Sequence, residues 1–241
     1  CVGVIVPGSN LNASFARGMP ARGKVALVSQ SGALCTAILD WALMEGIGFA
    51  SLVSVGNMVN TGFADLIDYL EDDPNTHAVM LYIESIVDAE KFLTAAGSLS
   101  RNKPLIALKV GRHKESAAAA SSHTGALAGE DSVYDAAFRR AGITRVYSLE
   151  QMLDCVEVLG REIHVEGPRL AVVTNGGGPG VMATDSLMDQ KAVLAQLSPA
   201  TIDELNAFLP ANWSKRNPVD VIGDATADRL GQATKTVLGD P

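Results

Sequence analysis

Short apolar runs alternate with amphipathic segments along most of the chain. Each apolar run is bounded by turn residues, as in buried parallel strands, and is followed by a segment of helical period. The runs predict strands near residues 24–29, 51–55, 78–84, 104–109, 143–147 and 169–174. The amphipathic segments predict helices near residues 33–45, 62–71, 88–101, 131–141, 148–160, 180–189, 199–208 and 226–238. This alternation predicts an α/β fold with doubly wound parallel sheets, covered by helices on both faces.

One strand-to-helix pattern occurs twice. Lys24–Gly32 and Arg169–Gly177 each contain a basic residue, four apolar residues, a hydroxyl residue, an amide residue and then small residues. Small side chains let the N–H groups at the start of the next helix approach an anion, and the helix dipole adds about half a positive charge there. Small residues at a single turn are also ordinary α/β architecture. Their recurrence predicts two phosphate-binding turns.

A third feature is a histidine surrounded by small residues. His123 lies within Ala117–Gly129, where the other side chains are mostly those of Ala, Ser and Gly. Imidazole is a competent nucleophile near neutral pH and a fair leaving group, so a histidine in a mobile loop can accept and release a phosphoryl group. The alternative is a plain surface histidine. Ser31, Glu84 and this loop all lie at the carboxyl ends of predicted strands, where α/β sheets bind ligands.

The pattern also divides the chain. It restarts after Val165–Pro168, which predicts a domain boundary there, and residues 1–20 are expected to be a linker because they are rich in Pro, Gly and Asn. The chain opens without a methionine, and its last predicted helix is followed by no strand. We therefore expect a fragment with two domains, of which the second is truncated.

Composition excludes several classes of function. The chain has 241 residues, of which 47% are hydrophobic and 19% charged, and its net charge is -8. That balance disfavours a nucleic-acid surface, and no apolar run is long enough for a membrane span. The three cysteines are far apart, so neither a disulfide framework nor a metal site is expected, and the protein is predicted to be cytoplasmic. A P-loop motif and a dinucleotide fingerprint are absent from the sequence, so NAD is not expected.

Together these motifs resemble the NDP-forming acyl-CoA synthetases, relatives of succinyl-CoA synthetase. The resemblance is carried by Lys24–Gly32, Tyr82–Glu84, Ser122–Gly129, Asn175–Gly180 and Asn217–Val221. It implies two flavodoxin-like domains: residues 21–163 resemble the ligase domain with the phosphorylated histidine, and residues 168–241 resemble part of the second ligase domain. Residues 1–20 resemble the end of a CoA-binding Rossmann domain.

The resemblance also implies roles for individual residues. His123 would accept the phosphoryl group, and Glu84 would orient its ring. The phosphate would be bound by the two turns, and two further residues would lie near the acyl group or CoA. The phosphate-binding residues would be Ser31, Gly32, Ala33, Gly176, Gly177 and Gly178, and the residues near the acyl group or CoA would be Asn57 and Gly125.

The family's reaction interconverts acyl-CoA, ADP and phosphate with carboxylate, CoA and ATP. The implied substrates are therefore CoA, an acyl group such as acetyl, and ATP or ADP with Mg²⁺. The implied partners are CoA-binding and ATP-grasp domains or subunits within a homo- or hetero-oligomer. Because those parts would bind most of the substrates, residues 1–241 alone are expected to be inactive.

Two other functions remain open. A flavodoxin-type FMN carrier would use the Ser29–Gly32 turn for the flavin phosphate, but only 5% of the chain is aromatic, so no flavin is expected. A ligase-like regulatory region fused to a GNAT protein acetyltransferase is the stronger rival. Such regions often lack the histidine, and the presence of His123 favours a working ligase.

Overall fold

A computed structural model describes residues 1–113, 116, 130–160 and 167–241. The chain forms two compact units, Cys1–Ile163 and His164–Pro241. Residues 165 and 166 of the predicted boundary lie outside the described ranges.

The described part of the first unit contains a seven-stranded sheet. Its strands are β1 (Gly3–Val6), β2 (Leu11–Ser14), β3 (Ala21–Ser29), β4 (Gly48–Ser54), β5 (Ala78–Ile83), β6 (Leu105–Lys109) and β7 (Thr144–Val146). Their spatial order is β2-β1-β4-β3-β5-β6-β7, and β3 to β7 are parallel. Counted from β3, the parallel strands follow the order 2-1-3-4-5, which is the flavodoxin order. The predicted fold class is confirmed.

Helices cover both faces of this sheet. They are α1 (Gly32–Glu45), α2 (Phe63–Asp72), α3 (Ala89–Leu99), α4 (Asp131–Arg140) and α5 (Leu149–Gly160). One core contains Phe63, Phe92 and Phe138 from α2, α3 and α4, and the other contains Ile38 of α1 and Met152 of α5. Because both faces of the sheet are buried, its central strands are continuous apolar runs, as the sequence pattern indicated.

The first residues correct one expectation. Residues 1–20 were expected to be a linker, but β1 and β2 form an antiparallel hairpin, and β1 pairs with β4 at the sheet edge. Pro7, Gly8 and Asn10 belong to the hairpin turn: Pro7–Ser9 is a 3-10 turn, and Asn10 is left-handed with φ of 55°. Ile5 is buried in the core, which secures β1 to the sheet.

The second unit repeats the start of the first. It contains the short strands β8 (Arg169–Leu170), β9 (Val173–Thr174), β10 (Val193–Leu194) and β11 (Val219–Asp220), with helices α6 (Gly177–Asp189), α7 (Pro199–Phe208) and α8 (Ala227–Leu238). β8 pairs in parallel with β10, and β9 with β11. The strand predicted at 169–174 is thus split, and its two pieces are flanked as β3 is by β4 and β5.

The buried side-chain amide of Asn217 forms hydrogen bonds with the backbone where this strand is split. Asn217 is 8% exposed, and its Oδ1 accepts a hydrogen bond from Val172 N at 2.9 Å. Its Nδ2 donates to Leu170 O at 3.0 Å and to Ala195 O at 2.9 Å. The side chain therefore replaces ladder hydrogen bonds that the interrupted strand does not make.

Replacing this amide should destabilise the second unit. We expect Asn217→Ala to lower its free energy of unfolding by about 2–4 kcal/mol, because buried N–H and C=O groups lose their partners. Denaturant unfolding followed by fluorescence of the buried Trp213, in a Trp41→Phe background, measures the change. Asn212→Ala, at an exposed position, is the matched control. Equal unfolding midpoints for the two variants would contradict this assignment.

Candidate functional site

The carboxyl ends of the parallel strands lie in one row. Ser29 of β3 is in register with Ser54 of β4 and Tyr82 of β5. The residues that follow these strands therefore share one edge of the sheet. Ser31 and Glu84 lie there on either side of the point where the strand order reverses, between β3 and β5, where α/β sheets form their ligand crevice.

The first turn is closed by the hydroxyl of Ser29. Its Oγ donates to Ser31 O at 2.8 Å and accepts from Ser31 N at 3.1 Å. Ser31 then caps α1, with its Oγ accepting from Leu34 N at 3.3 Å. The N–H groups of Gly32 and Ala33 belong to the first helical turn, which has no intrahelical acceptors for them. A Cβ at Gly32 would lie 2.8 Å from Cγ2 of Val2, so a larger residue there would require the Val2 side chain to shift.

The second turn has the same closure. Thr174 Oγ1 donates to Gly176 O at 3.0 Å and accepts from Gly176 N at 3.1 Å. Helix α6 begins at Gly177 without a side-chain cap, and Gly177 and Gly178 are exposed. A Cβ at Gly178 would meet nothing within 4 Å. The sequence repeat therefore extends to individual hydrogen bonds.

A carboxylate distinguishes the second turn from the first. Asp220 ends β11, and its Oδ1 accepts from Ile222 N at 2.9 Å. Its Oδ2 lies 3.4 Å from the position that a Cβ of Gly177 would take. This negative charge partly offsets the positive field at the start of α6.

Glu84 has a buried cation in its surroundings. Lys109, at the end of β6, is only 2% exposed; its ammonium donates to Val110 O and lies 4.6 Å from the centre of the Tyr134 ring. Burial lowers the pKa of Lys109, whereas the charges of Asp131 and Glu84 act in the opposite direction. The sequence did contain a signal for this residue, because Lys109 directly ends an apolar run that is predicted to be buried.

Gln30 is a second residue that the sequence reasoning missed. It is 7% exposed, and its Oε1 accepts from Glu84 N at 2.6 Å and from Ser85 N at 2.9 Å. Its position in the repeat, after the hydroxyl residue, was visible in the sequence. Its burial and its reach to the neighbouring strand were not.

Of the remaining predicted site residues, the structure describes only Asn57. Asn57 is exposed in the loop after β4, between Gly56 and Met58, which both have positive φ. His123 and Gly125 lie outside the described residues.

The described ranges contain neither a metal-ligand cluster nor a membrane-spanning helix. No group of three or more His, Cys, Asp and Glu side chains there could hold a metal ion. No helix in those ranges has the length and apolar character needed to cross a membrane.

Comparison with known proteins identifies the family. Residues 22–159 match the succinyl-CoA ligase like flavodoxin domain. The chain is 43% identical to the ADP-forming acetate–CoA ligase of Methanocaldococcus jannaschii, over 95% of this chain and 32% of that protein. The chain belongs to the ADP-forming acyl-CoA synthetase family. It is also 40% identical to the alpha subunit of ADP-forming acetate–CoA ligase II of Pyrococcus furiosus, over 100% of this chain and 52% of that subunit.

A solved structure of this synthetase family has the same fold. The dinucleotide forming acetyl-coenzyme A synthetase 1 of Ca. Korarchaeum cryptofilum, in complex with phosphate and ADP, matches the whole chain with a TM-score of 0.95 at 38% identity. The present chain covers 52% of that structure's chain. It thus spans between about a third and about half of these synthetases.

The two strand-to-helix turns should bind inorganic phosphate. We expect saturable amide shifts at the starts of α1 and α6 when phosphate is added to ¹⁵N-labelled protein, because helix-start N–H groups bind anions. Gly178→Asp should weaken binding at α6 about tenfold, since its carboxylate would occupy the helix start. The space for this side chain is open.

Gly167→Asp is the matched control for this titration. It adds the same charge just before β8, at the opposite end of the strand, also in open space. If the wild type shows no phosphate-induced shifts at the start of α6, phosphate does not bind at the second turn. Equal weakening of the shifts in both variants would also contradict binding there.

Proposed function

We propose that this chain carries the phosphoryl-transfer chemistry of an ADP-forming acyl-CoA synthetase. The complete enzyme would interconvert acyl-CoA, ADP and phosphate with carboxylate, CoA and ATP. The supporting observation is the pair of identically closed turns, at Ser29–Gly32 and Thr174–Gly177, in a chain of this family. Each turn directs helix-start N–H groups to the sheet edge, and phosphoryl transfer depends mainly on such positioning and electrostatics.

The proposed reaction has three steps. Phosphate attacks the acyl carbon of acyl-CoA, and the CoA thiolate leaves, which forms an acyl phosphate. A ring nitrogen of His123 then attacks the phosphorus, and the carboxylate leaves. Finally, ADP takes the phosphoryl group from the histidine, which gives ATP and restores the free imidazole.

Glu84 would support the second step. A carboxylate that accepts a hydrogen bond from the other ring nitrogen selects one tautomer and stabilises the positive charge on the phosphorylated ring. Glu84 is half-buried at the edge that carries the first phosphate turn, so its charge is only partly screened. Phosphate would be bound through Ser31, Gly32 and Ala33 and through the turn Gly176–Gly178, with Asn57 and Gly125 near the acyl group or CoA.

The relatives support the proposed substrates and partners. The relatives from Methanocaldococcus jannaschii and Pyrococcus furiosus are named acetate–CoA ligases, and the second is an alpha subunit. We therefore propose acetate as the acid, and a CoA-binding and an ATP-grasp domain or subunit as partners. Another relative, from Nitrosopumilus maritimus, is named 4-hydroxybutyrate–CoA ligase and is 36% identical. The nucleotide would be used with Mg²⁺, in a cytoplasmic oligomer.

Phosphorylation of His123 is the direct test of this function. The intact enzyme should acquire acid-labile label from γ-labelled ATP, because a phosphohistidine is the proposed intermediate. His123→Asn should abolish this label. His113→Asn, which changes an exposed histidine outside the proposed chemistry, should leave it unchanged. Label that persists in His123→Asn would refute the assignment, and an unlabelled wild type would favour the regulatory alternative.

Glu84→Gln should keep the fold but slow phosphorylation of His123. The amide can still form a hydrogen bond but cannot stabilise a charged ring, so a loss on the order of 10²- to 10⁴-fold is expected in single-turnover labelling. Glu90→Gln removes an exposed carboxylate from the first turn of α3 and should have little effect. If both variants are phosphorylated at the wild-type rate, Glu84 has no role in the transfer.

A further inference from the structure

Gln30 connects the two halves of the candidate site in the first unit. It lies between Ser29, which closes the phosphate turn, and Ser31, which caps α1. Its own backbone N–H donates to Tyr82 O of β5 at 3.2 Å. Its side chain crosses to the residues after β5, so a residue of the turn contacts the segment that carries Glu84.

The side-chain contacts fix a short stretch of backbone. Oε1 accepts from Glu84 N at 2.6 Å and from Ser85 N at 2.9 Å, while Nε2 lies 3.3 Å from Ser85 Oγ, to which it donates. Both polar atoms of the buried amide are therefore used. Two consecutive N–H groups that share one acceptor leave little freedom for the backbone at residue 84.

The second unit lacks this connection although its backbone is repeated. Thr174 pairs with Asp220 as Ser29 pairs with Tyr82, so Ile222 takes the place of Glu84 in the register. Ile222 N donates to the nearby Asp220 carboxylate instead. Asn175, in the position of Gln30, is exposed. The connection is thus not a general requirement of this strand-turn-helix fold.

Charge explains why an amide suits this position. A glutamate could accept the same two hydrogen bonds, but it would place a second negative charge beside Glu84 and beside a bound phosphate. A neutral amide fixes the backbone without opposing either group. Lysine or arginine could not accept a hydrogen bond at all.

We propose that Gln30 is a positioning residue that holds Glu84 in a fixed place relative to the phosphate turn during phosphoryl transfer. This inference rests on the proposed function, because Glu84 must act on His123 for its position to affect the rate. Transfer is sensitive to such positioning: a misplacement of about 1 Å can cost on the order of 10²-fold in rate.

A double-mutant cycle in the intact synthetase tests the proposal. Gln30→Met keeps the length of the side chain but removes both hydrogen-bonding atoms. Single-turnover labelling of His123 from γ-labelled ATP should slow about 10- to 100-fold, with little change in the ATP concentration that gives half the maximal rate. In a Glu84→Gln background the same substitution should cost less than about twofold, because Gln30 acts through that carboxylate.

A second variant separates positioning from folding. Gln30→Glu keeps the acceptor oxygen for Glu84 N and Ser85 N but introduces a charge. The ratio of its labelling rate to that of the wild type at the same pH should recover as the pH falls through the pKa of the new carboxyl. A purely structural defect would not produce this pH dependence of the ratio. Gln151→Met is the matched control, since Gln151 Oε1 accepts from Tyr147 N at 2.8 Å in a different part of the first unit.

The outcomes distinguish this inference from the proposed function. No label on the wild type would overturn both. A labelled wild type with additive losses in the double mutant, or with wild-type rates in folded Gln30→Met, would overturn only the role of Gln30. If Gln30→Met does not fold, a ratio of the Gln30→Glu rate to the wild-type rate that lacks this pH dependence would overturn it.

Discussion

A hydroxyl at the end of the first parallel strand closes the turn into the following helix in both units. Ser29 and Thr174 each donate to the carbonyl, and accept from the N–H, of the residue two positions later. This pair of hydrogen bonds satisfies the backbone inside the turn. The N–H groups at the start of the next helix, which have no intrahelical acceptors, are therefore left facing the sheet edge. Every proposed phosphate contact depends on that arrangement.

The strand order then determines what lies beside the turn. Because β3 and β5 are neighbours although α1, β4 and α2 separate them in the chain, Glu84 lies across from Ser31. Lys109 lies on the next strand, β6, so the carboxylate of Glu84 and a buried lysine lie on neighbouring strands at this edge. Parallel strands bring their carboxyl ends together, and distant sequence motifs thereby become one chemical environment.

Sequence patterns predicted the strands and helices of the first unit and the repeat because buried parallel strands leave continuous apolar runs. They failed at residues 1–20, where the turn residues of a hairpin resemble those of a linker. The strand at 169–174 is split, and the amide of Asn217 forms hydrogen bonds with the backbone where its ladder is interrupted. Burial of Gln30 and Lys109 depends on neighbouring strands, so their own positions in the sequence do not reveal it. His123 and Gly125 lie outside the described residues and stay predictions.

The two units show which features a repeated fold conserves. The hydrogen bonds between the strand-end hydroxyl and the turn backbone are the same in both, since each strand-to-helix connection must satisfy the same groups. The side chains around the turn differ: a buried neutral amide reaches Glu84 in the first unit, whereas the Asp220 carboxylate lies beside Gly177 in the second. In the second unit a carboxylate thus lies close to the helix start, whereas the residues of the first turn itself, Ser29–Gly32, are all neutral. Similar backbones can therefore present different electrostatic environments to an anion.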